Sequence, residues 1–233
     1  MAKAFCTTSS EAICILTGMT PIITKTEGSV KQYNIRKRKG SQSHVFNNDV
    51  ELKDWPHLAN AVKITVVKDY KETTVQSYTD GSKYEQGVGS GAAVFIGKEI
   101  LAQIKLKLNS RCSNNQAEQL ALIKALEAIG SIHTTDINLY KATIFPNSKI
   151  TLDSLQNAKN HTYLIEEIRK RVDILKSSEW KIEFSWVKAH IGIYRNKMAD
   201  RLAKEAVQSK DTNITFNRIR KNTLYYEVEE EVK

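Results

Sequence analysis

Three acidic side chains, one amide and one imidazole stand at positions in this 233-residue chain where side chains could take part in chemistry. Asp80 follows an alternating run in YTDGS, and Glu118 lies in the first turns of a strongly helical stretch. Asn147 follows another apolar run, and Asp200 lies in the last predicted helix, ten residues after His190. Acids this far apart are usually surface residues. Asp80 is the strongest functional candidate among them, because an acid at a strand end before Gly-Ser is exposed at an edge and is not needed for packing.

The sequence periodicity predicts the elements that would carry these residues. Three strand-like runs come first; the first ends at a predicted turn at Gly81–Ser82, and the other two meet in a hairpin at Gly97–Lys98. A long amphipathic helix closed by Gly130 follows, and then a strand, two helices, a strand and a helix. This order predicts an α/β fold, a mixed five-stranded sheet flanked by helices, with functional groups at the ends of parallel strands.

The composition indicates a packed basic protein. The apolar fraction of 41% is compatible with a core, and the net charge of +9 fits a polyanionic partner, either nucleic acid or an anionic membrane surface. The chain has three cysteines without CxxC spacing, which argues against a disulfide framework or a structural zinc site. The early apolar run AICILTGMTPII contains a glycine and a proline and is too short to span a bilayer. We therefore expect a soluble intracellular protein with no disulfide partner and no membrane contact.

The sequence pattern divides the chain into three parts: residues 1–67, a regular domain over 68–209, and a tail over 210–233. The first part contains one predicted short helix in TTSSEAICILTGMTP, stopped by Gly18 and Pro21. Four consecutive cations follow at Arg36–Lys39, either as a solvated loop or as a patch for phosphate contact or nuclear import. The tail has no clear periodicity and is expected to be a loose appendage.

Three separate motifs occur in register across the regular domain: YTDGS, NNQAEQLALIKALEAI and WVKAHIG followed by N..AD.LAKEA. Together they resemble the ribonuclease H family in order and in their strand and helix context, over roughly residues 72–208. More narrowly, they resemble the ribonuclease H domain that ends the polyprotein of insect-type non-LTR retrotransposons. Residues 1–67 would then be a remnant of the region linking reverse transcriptase to that domain.

The resemblance implies hydrolysis of the RNA strand of RNA–DNA hybrids with two Mg²⁺ ions, for which Mn²⁺ is a substitute. Two such cations activate water and stabilise the leaving 3′ oxygen, and they prefer carboxylate oxygens. By resemblance, Asp80 would bridge both ions, Glu118 would hold one and Asp200 the other. His190 would assist proton transfer or product release, or would simply make a local hydrogen bond in its loop.

The resemblance also implies a substrate surface of short hydroxyl and amide groups, which can contact phosphates and RNA 2′-hydroxyls. Its members are Ser82, Ser113, Asn114, Asn115 and Gln116. Asn114 is equally suited to helix capping, and the two roles are compatible. The basic loop that some family members use for affinity is absent between LDSLQNAKN and TYLIEEI.

The chain departs from the family pattern at three positions. The pattern expects Thr-Asp-Ser after the fourth strand, but Asn147 stands there, and Asp153 lies too far into the next helix to replace the acid. The site would keep three formal negative charges instead of four, which would weaken metal binding and transition-state stabilisation and lower the rate by several orders of magnitude. Arg195 replaces a glycine and would stiffen or distort its loop if that position needs a positive φ. Lys197 replaces a glutamate and could pair with Asp200 and compete with the metal.

Three interpretations remain open at this point. The chain is an impaired ribonuclease H, a catalytically inactive module that binds RNA–DNA hybrid or double-stranded RNA, or a decayed retroelement fragment with no cellular role. We expect a monomer in the nucleus or cytoplasm, with RNA–DNA hybrid as its nucleic-acid partner.

Overall fold

The computed structural model describes residues 17–37, 62–67, 73–133, 140–186, 194–209 and 213–220, with isolated positions at 9, 14, 223, 226, 227, 229 and 230. The chain forms two compact units, one of residues 1–48 with 219–233 and one of residues 49–218. The second unit contains every candidate site residue. No helix of the described residues is long and apolar enough to cross a membrane.

The first unit contains a helix that the sequence pattern did not predict, α1, over Ile22–Lys37. Arg36 and Lys37, half of the predicted basic stretch, belong to its last turn, and the other half lies outside the described residues. Gly18 has a φ of +66°, and the Met19 N–H bonds to the carbonyl of Cys14. This geometry is that of a helix end, as the stop signal at Gly18 predicted. Most of that predicted helix lies outside the described residues.

The second unit is built on a mixed five-stranded sheet, as predicted. Its strands are β1 (Val75–Tyr84), β2 (Gly87–Ile96), β3 (Glu99–Leu108), β4 (Lys141–Pro146) and β5 (Lys181–Phe184). They lie in the order β3-β2-β1-β4-β5. The pairs β1–β2 and β2–β3 are antiparallel, while β1–β4 and β4–β5 are parallel. The predicted hairpin is confirmed at Gly97, whose φ is +57°.

Helices cover both faces of this sheet. They are α2 (Asn114–Gly130), α3 (Lys149–Gln156), α4 (Tyr163–Ser177) and α5 (Tyr194–Gln208). Residues of α2, α3 and α4 share one large buried cluster with the sheet, and residues of α5 share a second, smaller cluster with it. Gly91 faces α5, and its neighbour Ser90 donates a hydrogen bond to Ala117 on α2. Because side chains alternate along a strand, α2 and α5 lie on opposite faces.

The prediction that the first strand ends at Gly81–Ser82 was wrong. β1 continues to Tyr84 and stays paired with β2 throughout, with Gly81 opposite Ser90. What ends near Asp80 is the neighbouring strand, because the pairing of β1 with β4 stops at Thr79. Asp80 therefore lies inside a long strand, at the point where β1 stops pairing with β4 and has only β2 as a neighbour.

Short segments outside the predicted domain pair with both edges of the sheet. Val66 forms a parallel bridge to Phe184 of β5, and Phe216 forms one to Leu108 of β3. Phe216 is only 8% exposed and belongs to the large core cluster. Part of the predicted loose tail is thus packed against the sheet, where it covers backbone groups that an edge strand otherwise exposes.

Candidate active site

Asp80 and Asn147 meet where β4 ends beside β1. The backbone N–H of Asn147 donates to the carbonyl of Thr79 at 3.1 Å, which continues the ladder one residue beyond β4. Its side-chain amide Nδ2 donates to Asp80 Oδ1 at 2.9 Å, and the Gly81 N–H donates to the same oxygen at 2.8 Å. Asn147 Oδ1 is buried and has no hydrogen-bond partner among the described residues.

Glu118 reaches this point because Gly81 lets α2 approach β1 closely. A Cβ atom at Gly81 would lie 2.7 Å from the Asn114 carbonyl oxygen and 2.8 Å from Glu118 Cγ, closer than real Cβ contacts allow. Glu118 is 4% exposed, and its Oε1 accepts a long hydrogen bond of 3.4 Å from Asn114 Nδ2. Its other oxygen, Oε2, is buried without a hydrogen-bond partner in the part of the chain that the structure describes.

Asp200 is brought to the opposite face of β1 and β2 by a second close approach. Cβ atoms at Gly89 and Gly91 of β2 would collide with the backbone of Ala203 and Ala199 on α5. The two glycines therefore form a shallow groove in which the small-residue face of α5 lies. Asp200 remains partly solvated, with its side chain 41% exposed.

The cation that pairs with Asp200 is Lys204, whose Nζ lies 2.8 Å from Asp200 Oδ2. The predicted partner Lys197 is exposed and makes no ion pair within the described residues, so that prediction was wrong. Side chains four residues apart lie one above the other on a helix, and an acid before a lysine is the order that the helix dipole favours. The pair is half-exposed, so its contribution to stability is small.

The carboxylates of Asp80 and Glu118 are poorly solvated, and each lies in the field of another carboxylate. Burial raises the pKa of Asp80, and the charge of Asp200 also raises it, while the hydrogen bonds from Asn147 and Gly81 lower it. Burial, and then the charge of Asp80, raise the pKa of Glu118 to about 8. In the absence of a bound cation, Glu118 is therefore largely protonated at neutral pH.

Polar groups of α3 act on Glu118 in the other direction. Ser148, the N-cap of α3, and Thr151 both favour the charged form and lower the pKa of Glu118. Neither makes a hydrogen bond of normal geometry to Oε2, and the Thr151 hydroxyl is itself buried without a partner among the described residues. The carboxylate of Glu118 and the start of α3 thus form a polar but incompletely satisfied pocket.

Arg195 lies in the first turn of α5 rather than in a strained loop. Glu179 is the only non-glycine residue with a positive φ among those described, so Arg195 occupies ordinary helical backbone. The expectation that it distorts a glycine-requiring loop was therefore wrong. His190, predicted to assist proton transfer, lies outside the described residues.

Two further positions define the surroundings of Asn147. Asp153, a conceivable substitute for the missing acid, is exposed on α3. Trp186, which the sequence pattern did not single out, donates its indole N–H to the Asn147 carbonyl at 3.2 Å. Its position directly after β5 could have indicated this contact, because β4 and β5 are parallel neighbours.

The predicted substrate residues divide into accessible and buried groups. Ser113, Asn114 and Asn115 are partly exposed at the start of α2, whereas Ser82 is nearly buried. Gln116 is fully buried. Its Oε1 accepts from the Ser113 N–H in a capping box, and its Nε2 donates to the Arg218 carbonyl. Gln116 thus holds the start of α2 in place, and in this structure it offers no surface to a substrate.

A model of the RNase H family matches residues 72–208. The chain is 33% identical over 151 residues to the ribonuclease H of Pseudoalteromonas translucida, covering 60% of this chain and 94% of that protein. It is 28% identical over 141 residues to a ribonuclease H of Wolbachia from Drosophila simulans, covering 57% and 94%.

Among solved structures, the N-terminal RNase H domain of Rv2228c from Mycobacterium tuberculosis, fused to maltose-binding protein, is similar at 24% identity. That comparison has a TM-score of 0.46 and covers 59% of this chain and 95% of the other. Since the family model covers more than half of its length, this chain belongs to the RNase H family.

Proteins of this family generally use divalent metal ions, and the oxygen donors present fit such an ion in type. Glu118 Oε2 and Asn147 Oδ1 are buried oxygens without partners, and the carboxylates of Asp80 and Glu118 repel each other. The described residues hold no group of three or more His, Cys, Asp or Glu side chains arranged to bind a metal. The donor chemistry therefore fits a hard cation, with one carboxylate fewer than the family pattern has.

Proposed function

We propose that this chain hydrolyses the RNA strand of RNA–DNA hybrids with divalent cations, at a rate lowered by Asn147. The observation that carries the proposal is the 2.9 Å hydrogen bond from Asn147 Nδ2 to Asp80 Oδ1. This contact places the Asn147 amide beside Asp80, where the family pattern has a carboxylate, and so supports a site with one charged oxygen fewer.

The residues that would hold two Mg²⁺ or Mn²⁺ ions are Asp80, Glu118 and Asp200, with Asn147 contributing only its carbonyl oxygen. Bound cations of this kind would activate water and stabilise the leaving 3′ oxygen of the RNA. Asn147 lowers the formal charge of the site from four negative charges to three. Lys204 neutralises one of these through Asp200. Both features weaken the attraction of the site for cations.

The protein contributes substrate orientation through the start of α2. Ser113, Asn114 and Asn115 present hydroxyl and amide groups next to Glu118, where they can contact phosphates and 2′-hydroxyls. The 2′-hydroxyl distinguishes RNA from DNA, so these groups would select the RNA strand of a hybrid. Gln116 supports this surface from below through its capping hydrogen bonds, and His190 keeps its proposed role in proton transfer or product release.

A second function, hybrid binding without cleavage, is favoured by the hydrogen bonding of Asp80. Its Oδ1 already accepts from Asn147 and from the Gly81 N–H, and it lies in the field of the Lys204 ammonium group. These donors partly replace the positive charge that a cation would supply. A site stabilised in this way would keep its shape with no metal bound.

The deciding experiment is a hybrid-cleavage assay with Mg²⁺ and with Mn²⁺. It compares the unaltered chain, Asn147→Asp, and Asp80→Asn as an inactive reference, each alongside a measurement of hybrid affinity. We expect slow cleavage that rises by about 100-fold or more in Asn147→Asp, because one buried charge is restored at the site. Binding by all three proteins without cleavage by Asn147→Asp would support the binding function instead. Robust cleavage by the unaltered chain would contradict the impairment.

We also propose, from the sequence resemblance, that the chain is a monomeric C-terminal piece of a non-LTR retrotransposon polyprotein. Residues 1–67 would be its reverse-transcriptase remnant, and the nucleus or cytoplasm its site of action. Sequencing of the genomic locus tests the origin. A reverse-transcriptase reading frame directly upstream supports it, and an unrelated upstream frame contradicts it.

A further inference from the structure

Arg195 makes three contacts that connect the start of α5 to the sheet. Its Nη1 donates to Gln76 Oε1 on β1 at 2.6 Å, and its Nη2 donates to the Gly97 carbonyl at the β2–β3 turn at 2.6 Å. The guanidinium carbon lies 4.9 Å from the centroid of the Phe95 ring. One side chain thus bridges both strands on which α5 lies.

The two hydrogen-bond acceptors of Arg195 are held in place by other contacts of their own. Gln76 is 4% exposed, and its Oε1 also accepts from the Tyr78 hydroxyl at 3.2 Å. The Gly97 N–H donates to the Thr74 carbonyl at 2.7 Å, which holds the turn against β1. A planar guanidinium suits two rigid acceptors, because its donors diverge in one plane and a lysine has no such fork.

The remaining packing of α5 is close and apolar. Ala199 and Ala203 lie against glycine backbone of β2, and Met198 and Leu202 belong to the small buried cluster that α5 shares with the sheet. These contacts hold α5 against the sheet, but apolar packing is not directional. Arg195 supplies a directional contact one helical turn or so before Asp200.

We propose that Arg195 is a positioning residue that fixes α5 along the sheet and thereby sets the place of Asp200 relative to Asp80. Five residues of helix separate Arg195 from Asp200, about 7.5 Å of axial rise, so a shift at the first turn reaches the carboxylate directly. The effect of Arg195 on catalysis rests on the proposed function, whereas its effect on the position of α5 rests only on the observed contacts. A glycine at this position, as in the family pattern, would remove the anchor in this chain.

The first test is hydrogen exchange of the metal-free protein, comparing Arg195→Ala with Arg201→Ala. Arg201 is an exposed arginine of the same helix whose ion pair with Glu205 is loose at 3.5 Å, so the control matches the change in residue type. We expect amides of the first half of α5 to exchange about 10-fold faster in Arg195→Ala, while β1 and α2 keep their protection. Equal exchange in the two variants, or a uniform increase over the whole unit, would overturn the proposal.

Two more variants keep the test decisive if Arg195→Ala folds poorly. Arg195→Lys keeps the charge but can reach only one acceptor, so its exchange should fall between the parent and Arg195→Ala. Gln76→Leu should reproduce part of the effect, and combining it with Arg195→Ala should add less than the sum of the two. Full additivity would show that the contact between the two side chains does not act as described.

The catalytic consequence is measured in an Asn147→Asp background. Adding Arg195→Ala should lower kcat about 10-fold with KM unchanged, because the acid is misplaced while the substrate surface on α2 is intact. Unchanged kcat with faster exchange would refute the positioning role. If Asn147→Asp itself does not cleave, the proposed function fails, and the exchange experiments still decide whether Arg195 fixes α5.

Discussion

Replacing Asn147 by aspartate should destabilise the protein when no metal is bound. The substitution removes the 2.9 Å hydrogen bond to Asp80 and puts a second carboxylate in its place. A hydrogen bond to a charged group contributes about 1.5–3 kcal/mol. Two unit charges about 4 Å apart repel by about 4 kcal/mol at an effective dielectric constant near 20. Uptake of a proton by one carboxylate limits the total, so we expect a loss of about 2–4 kcal/mol at neutral pH.

A divalent cation should reverse this loss in the variant more than in the parent. An ion present at 100 times its dissociation constant stabilises the folded state by about 2.7 kcal/mol. The assay is urea unfolding in EDTA and in millimolar Mg²⁺, which reports metal binding without requiring catalysis. Asn157→Asp is the matched control, since Asn157 is exposed at the end of α3 and undergoes the same chemical change.

Two results would refute this reasoning. If Asn147→Asp is as stable as the parent in EDTA, the amide does not stabilise Asp80 as the geometry indicates. If Mg²⁺ stabilises the parent and Asn147→Asp equally, the missing charge at this position does not limit cation binding. In either case Asn147 would not account for the proposed impairment of cleavage.

Three further predictions concern the surroundings of the site. The pKa of Glu118 is raised from 4.5 to about 8 in the folded chain, so between these pH values the folded state binds a proton that the unfolded state has released. The free energy of unfolding of the metal-free protein should therefore fall as pH rises from about 5 to 8. Glu118→Gln should remove that fall, and an unchanged pH slope in urea unfolding would contradict it. Gly81→Ala should cost about 1–3 kcal/mol and weaken hybrid binding, because α2 is pushed from β1. Phe216→Ala should cost about 3 kcal/mol in urea unfolding, whereas a loose tail predicts no change.

The element order could be predicted from the sequence because it depends on local periodicity. The helical spacing of α2 is a property of a few neighbouring residues, and this helix forms where expected. The end of β1 could not be predicted in this way. From the sequence, Asp80 beside Gly81 resembles the end of a strand, but β1 continues past it. The site is instead defined by the end of β4, the strand that pairs with β1. That boundary depends on pairing between residues 67 positions apart in the chain.

The cations of α5 also divide into one whose partner is near in the sequence and one whose partners are distant. The Asp200–Lys204 pair could have been found from sequence, because an acid before a lysine at four residues is the favoured helical order. The role of Arg195 could not, because its partners lie 98 and 119 residues away along the chain. From the sequence alone, an arginine in place of a glycine is expected to disturb its own loop. The structure shows that it instead adds hydrogen bonds to the sheet.

The departures from the family pattern therefore differ in physical kind. Arg195 adds contacts to the sheet that a glycine cannot make, so it supports the element that carries Asp200. Asn147 keeps the position and the hydrogen bonding of a residue at the end of β4, but it cannot carry charge. A fold that had lost its packing constraints would not be expected to retain the close approach of α2 at Gly81 or that of α5 at Gly91. The close approaches that position Glu118 and Asp200 are thus present, and Asn147 lacks the charge that the family pattern has at the end of β4.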